Sequence, residues 1–270
     1  MRSKHLLMLV GVVVLAGCRN PFVRNPHLRF LRSDALSIEH PVVAPNGAEV
    51  YYLSGNTLWK LDLNNDSASL LLPGWLQAIA LSRDGTRLAL LGRDLLLADT
   101  AGTVLQTLVP SESVGENPVD VQFSHDGSCV YYSTSLNDGA LYYRVAVDGT
   151  GRALVHRSYG SAEGHRGHAG FALTKDDSIL DYSTRDWPEL SPIVDSVMAY
   201  ASSWWTGGDV HVVYLPSDSV ISLDCDPYGG ASIAYPSWFP DGHKLAFCAT
   251  DSGTIPGSHY QLWMLDSLEY

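Results

Sequence analysis

The 270-residue sequence is short of charge, of cations and of cysteine. Charged residues make up 17% against 46% hydrophobic ones, which excludes a disordered chain and leaves ample material for a core. Lys and Arg number 17 against 29 Asp and Glu, a formal net charge of −12. That balance excludes a nucleic-acid partner, because a phosphate backbone demands clustered cations. There are four cysteines, with spacings unlike a zinc site. Cys129, Cys225 and Cys248 permit one disulfide, and no pair stands out. There is no G-x-S-x-G elbow and no Gly-rich phosphate loop opening a helix. Catalysis therefore has no motif behind it, a non-enzymatic role is expected, and no cofactor is implied. Asp120 and Asp181 fall on expected inner strands, but no catalytic pair of acids can be placed.

The charge that is present is unevenly spread. No acid precedes Asp34, whereas six of the 17 cations do. The body from Asp34 onward thus carries 11 cations against 29 acids, a balance of −18. Arg2 and Lys4 precede an apolar run, Leu6–Leu15, that is too short for a spanning helix of roughly 20 residues and reads as a secretory signal. The run ends Leu15-Ala16-Gly17-Cys18, which resembles the lipobox of bacterial lipoproteins. The resemblance implies removal of residues 1–17 and lipidation of Cys18, so that a bilayer is a partner. Arg rather than Asp at position 19 favours, by the same resemblance, the outer membrane of the cell envelope. Residues 18–34, with two Asn-Pro pairs and four Arg, read as a basic tether.

From residue 35 to 270 one phrase recurs: apolar strand, tight polar turn, apolar strand. Its five copies are 42–54, 80–92, 122–134, 172–184 and 238–250. Their turns align as Asn46-Gly47, Asp84-Gly85, Asp126-Gly127, Asp176-Asp177 and Asp241-Gly242. Asn-Gly and Asp-Gly are hairpin signals: Gly tolerates positive φ, and Asn or Asp caps the turn, so these residues are structural. Period-2 columns flank them, with Val43, Leu81, Phe123, Leu173 and Trp238 before the turn and Val50, Leu88, Val130, Leu180 and Leu245 after it. Third and fourth strands follow in each copy except the fifth, which is one strand short. Ala35–Glu39 is expected to supply the missing outer strand and remove the open edge. The fold class is therefore all-β: a β-propeller of four-stranded antiparallel blades, closed by an N-terminal strand. Five blades are expected, with six as the alternative. Turn spacing grows from 38 residues between Gly47 and Gly85 to 65 between Asp177 and Gly242, and that last excess is read as an insertion within blade 4.

The segment Pro236–Phe247, PSWFPDGHKLAF, resembles the WD40-like PD40 repeat of the TolB propeller family. The resemblance implies a platform for an envelope protein or peptide, bound at the loop-rich face or the mouth of the central channel. In a meander blade the Asp-Gly turns share one plain face. The long loops fall on the other, and carry the candidate binding residues His165, His168, Trp187, Trp204, Trp205 and His259. Exposed tryptophans can anchor a protein or stack on a sugar, so a carbohydrate-binding or glycosidase-like propeller is the alternative, and a structural surface lipoprotein a third. His165 and His168 lack the further ligands that zinc needs, so no metal is expected.

Overall fold

The computed structural model describes residues 25–136, 139–159, 170–180, 186–201, 209–223, 225–228, 230–250, 259–266 and 268. The lipobox, Asp181, and the loop residues His165, His168, Trp204 and Trp205 lie outside the described residues. Those described form strands almost throughout, with one four-residue helix, α1 (Ser111–Val114). Five antiparallel four-stranded sheets make a five-bladed β-propeller. The first strand is β1 (Leu28–Arg32). Blade 1 is β2 (Ile38–Val43), β3 (Glu49–Ser54), β4 (Thr57–Asp62) and β5 (Ser67–Leu72). Blade 2 is β6 (Leu76–Leu81), β7 (Arg87–Gly92), β8 (Leu95–Asp99) and β9 (Val104–Val109). Blade 3 is β10 (Pro118–Phe123), β11 (Cys129–Leu136), β12 (Gly139–Ala146) and β13 (Ala153–Tyr159). A two-stranded hairpin, β14 (Ala172–Leu173) and β15 (Ile179–Leu180), comes next. Blade 4 is β16 (Asp186–Leu190), β17 (Val197–Ala201), β18 (Val210–Tyr214) and β19 (Ser219–Leu223). Blade 5 is β20 (Ile233–Trp238), β21 (Leu245–Thr250) and β22 (Tyr260–Leu265), with β1 as its outer strand.

The expected hairpin registers are observed at four of the five turns: Val43 opposes Val50, Leu81 Leu88, Phe123 Val130 and Trp238 Leu245. At each, a Gly takes positive φ, between 66° and 71°, while the preceding Asn or Asp accepts the amide two residues on. The fourth turn differs. It has no Gly, Asp177 itself adopts φ 60°, and Leu173 opposes Ile179 rather than Leu180.

Two expectations are corrected. The closing outer strand is Leu28–Arg32, paired along β22, whereas Ile38–Val43 is the inner strand of blade 1. The ring is thus closed by an N-terminal strand, but one drawn from the expected tether. Leu28 and Leu31 are the buried residues that hold it there, one packing into the blade 4–5 core and the other into the blade 5–1 core. The copy at 172–184 is likewise not the first half of blade 4. Its hairpin stands alone, and the supposed insertion supplies strands β16 and β17. The hairpin fills a blade's place: Tyr142 and Phe171 pack on its blade 3 side, Ala172 and Met198 on its blade 4 side. Six apolar seams, one between each pair of neighbouring units, therefore hold the described ring together.

Candidate functional site

Side chains alternate along a strand, so the residues flanking the Val43-type column approach the propeller axis, although Ala78, Ala80 and Ala172 also pack into the seams. Three residues before the end of each inner strand stand His40, Ala78, Asp120, Gly170, Trp187 and Tyr235. One residue before the end stand Val42, Ala80, Gln122, Ala172, Glu189 and Ser237. Two residues beyond it, in the turns, stand Pro45, Arg83, His125, Lys175, Pro192 and Pro240. All of these but Ala78, Gly170 and Ala172 line an axial cavity of about 440 Å³, within the range of small-ligand sites. The cavity opens on the face of the Asp-Gly turns, which the repeat pattern presents as plain.

Backbone bulges shape its wall. In β2, β16 and β20 the pairing slips between Glu39 and Val42, Asp186 and Glu189, and Ala234 and Ser237. Each slip holds a His-Pro, Trp-Pro or Tyr-Pro pair: His40-Pro41, Trp187-Pro188 and Tyr235-Pro236. Proline cannot donate to the ladder, so it is accommodated at a bulge. The residue before each adopts φ of 49°, 49° and 54°, a sparsely populated conformation for a side-chain-bearing residue. The result brings three rings together: His40 and Trp187 each lie 4.2 Å, centroid to centroid, from Tyr235. A Cβ on Gly170 would lie 3.2 Å from the backbone nitrogen of Trp187, so only glycine fits there easily.

Two carboxyls face the same space. Asp120 accepts the amides of Val121 (2.8 Å) and Phe171 (3.1 Å), tying blade 3 to the hairpin. Glu189 accepts the amide of Trp238 (3.2 Å), and its carbonyl the Trp238 indole N–H (3.0 Å), tying blade 4 to blade 5. The Ser237 hydroxyl, beside Glu189, accepts the amide of Val43 (3.3 Å) and carries the linkage to blade 1. Burial pushes Asp120 up to about 7, against the pull of its two amides. Burial also pushes Glu189 up to about 8, with the charge of Asp120 adding to it. His40 is driven down to about 3 by burial alone. Tyr235 is raised well above its usual range, first by burial and then by Glu39, itself raised by burial. Neither His40 nor Tyr235 makes a side-chain hydrogen bond among the described residues.

Of the residues singled out in the sequence, Trp187 belongs to this axial wall rather than to a loop on the opposite face. His259 is exposed at the start of β22, on that opposite face. The turn residues Asn46, Asp84, Asp126, Asp176 and Asp241 are held in local turn hydrogen bonds. Glu189 goes unnoticed in the sequence because its strand reads as an insertion. The available signal is the phrase shared by HPVVAP (40–45), WPELSP (187–192) and YPSWFP (235–240). Among the described residues no three His, Cys, Asp or Glu are grouped to hold a metal, and no disulfide joins Cys129, Cys225 and Cys248 to one another.

No family model and no curated protein sequence matches the chain. Solved structures do. A gluconolactonase from Xanthomonas campestris aligns at 14% identity and a TM-score of 0.65, over 89% of both chains. The WD40 repeats of RRP9 align at 13% and 0.60, over 89% of this chain and 97% of that one. A putative TolB from Agrobacterium tumefaciens aligns at 16% and 0.47, over 88% and 80%, too distant to add weight. Likeness at these identities establishes the propeller fold, which is shared by proteins of unrelated activity.

Proposed function

We propose that this protein is a lipid-anchored, non-enzymatic propeller of the bacterial envelope that binds a partner protein or peptide through its axial pocket. The observation that carries the reading is the pocket itself: three stacked layers, an aromatic wall and an open mouth on a rigid ring. The carboxyls support binding rather than proton transfer, because both Asp120 oxygens are held by backbone amides. Propeller neighbours such as the RRP9 WD40 repeats fit a binding platform.

The anchor bears on which face meets the partner. Leu28 pairs with Leu265 and His27 accepts the amide of Asp266, so the N-terminal segment joins the sheet at the Asp-Gly-turn face. Lipidated Cys18 would be ten residues upstream, a reach of at most about 35 Å. The mouth would then face the bilayer, and the partner would be held between membrane and propeller.

The test is photo-crosslinking in intact cells, with the crosslinker placed at Lys175 on the rim and, as control, at exposed Leu154 on an outer strand. Rim-specific capture of one envelope protein supports the reading; equal yields from both positions refute it. Cys18→Ala should release the protein from the membrane fraction, and retention there would overturn the anchor. A sugar-binding pocket is the second reading, favoured by the Trp187–Tyr235 contact. A rim that captures no protein, in a molecule that binds glycans, would establish it in place of the first.

A further inference from the structure

Among the described residues, the axial wall concentrates acids without counter-ions. Asp120 and Glu189 line the cavity, and Glu39 lies close enough to raise Tyr235 from behind the wall. Among the described residues, the charges acting on Glu189 and Tyr235 are those of other acids, and no cation opposes them. The nearby described cations are engaged at the rim. Lys175 pairs with Asp195. Arg83 lies against His125 and donates to the Pro192 carbonyl. His40 is deep in the wall and neutral. A buried acid without a counter-charge is costly, and a cation supplied from outside removes the cost.

We infer that the pocket receives an organic cation, the ammonium or guanidinium of a basic side chain, seated between the His40–Tyr235–Trp187 rings and the Asp120 and Glu189 carboxyls. The inference rests on the reading of the axial pocket as the partner's binding site, and names what the partner inserts. Three further observations carry it. The ring faces offer cation–π contact, strengthened where water is excluded. The His40 imidazole and Tyr235 hydroxyl, which make no side-chain hydrogen bond among the described residues, can accept from N–H donors. The −18 body draws cations toward it over a longer range. A divalent metal fits less well, because it wants several oxygens free of other donors and the carboxyls here already accept backbone amides.

Binding of this kind is linked to protons. Glu189 and part of Asp120 are protonated near neutrality. An entering cation ionises them, so protons leave as it binds. Affinity therefore rises with pH between about 6 and 9, by up to tenfold per unit for each proton released. Among the described residues, the other titratable and charged groups around the carboxyls are Arg83, His125, Lys175 and Asp195 at the rim and Glu39, His40 and Tyr235 in or behind the wall. A lysine ammonium stays charged throughout that range.

The test is calorimetry on the mature chain with an N-acetylated, C-amidated Ala-Lys-Ala peptide and its norleucine analogue, near pH 6, 7.5 and 9. The lysine peptide should bind at least tenfold more tightly than the norleucine peptide, with affinity rising with pH and net proton release. The paired change Asp120→Asn and Glu189→Gln should cost tenfold or more and abolish the pH dependence. Equal affinity for the two peptides, an affinity independent of pH, or no binding of either overturns the inference. The comparison on the unaltered chain decides the matter even where the double variant fails to fold. If the rim crosslinker captures a protein while neither peptide binds, the cation is refuted and the platform stands. If the lysine peptide binds while no protein is captured, the platform reading falls and the pocket serves a small amine.

Discussion

Arg83 and Pro192 meet across the channel mouth although 109 residues separate them. The Arg83 Nη2 donates to the Pro192 carbonyl at 3.3 Å, while its Nη1 lies 2.5 and 2.8 Å from the two ring nitrogens of His125. One guanidinium from blade 2 thus spans to blade 4 and bars part of the opening.

Removing that bar should expose the wall beneath. Arg83→Ala is expected to increase acrylamide quenching of tryptophan fluorescence, and the increase should vanish in a Trp187→Phe background. Stability should change by no more than about 0.5 kcal/mol, as for most surface substitutions. Quenching that stays at the starting level would show that the mouth is open regardless.

Stability should fall as pH rises through neutrality, unlike that of proteins dominated by salt-bridged carboxylates. Between about 4 and 8 the unfolded chain has lost the Asp120 and Glu189 protons that the folded chain keeps, so ionisation favours unfolding. His40 acts oppositely: folded it is neutral above about 3, whereas unfolded it is protonated up to about 6.5, so stability from this group rises with pH across that window. The net expectation is a stability maximum near pH 4–5, a shallow decline to about 6.5, its steepest fall near 7 and an end to the decline above about 8. Below the maximum, Asp84 and Asp126, held at about 2 chiefly by their turn hydrogen bonds, lose their contribution as they protonate. Urea midpoints across the range test this, and Asp120→Asn with Glu189→Gln should flatten the decline.

The closing strand should matter beyond its length. Leu31→Ala removes a buried side chain from the blade 5–1 core and should cost about 2–4 kcal/mol. Leu36→Ala, at an exposed position just after it, should cost under about 0.5 kcal/mol. Similar denaturation midpoints for the two would mean that β1 is dispensable.

Gly127→Ala places a Cβ at φ 70°, 3.0 Å from a terminal nitrogen of the Arg87 guanidinium. That guanidinium donates to the Gly127 carbonyl and crosses from blade 2 to blade 3. A loss of about 1–2 kcal/mol is expected from the strained backbone. The same change at Gly74, which has open space around it and no positive φ, should be neutral or mildly stabilising.

Much of the fold was legible because the repeat writes its register in short range. Asp-Gly turns set which residues oppose, and Val43, Leu81, Phe123 and Trp238 fall where their spacing puts them. The fourth unit misled because the two hairpins after blade 3 compete for one repeat position. The Asp176-Asp177 turn looks like the others, whereas the turn that opens blade 4, Ser191–Asp195, has no Gly. Assigning the wrong one hid β16 and, with it, Glu189. The site was further hidden by parity. The apolar columns that reveal a propeller are those facing the seams between blades, and the axial residues of the same strands vary freely from unit to unit. His40, Asp120, Trp187 and Tyr235 share a position but no chemistry, so no repeat pattern marks them. Only the prolines that follow His40, Trp187 and Tyr235 recur.

Strand β1 also determines how the ring would bear a mechanical load. Its partner β22 runs antiparallel from Leu28↔Leu265 to Arg32↔Leu262, and ladder hydrogen bonds lie across the strands. An anchor upstream of residue 25 would pull along β1 from its Leu28 end. Drag on the propeller would then load those bonds together in shear rather than unzipping them singly. The buried Leu28 and Leu31, lodged in two different seams, would spread the same pull over both flanks of blade 5.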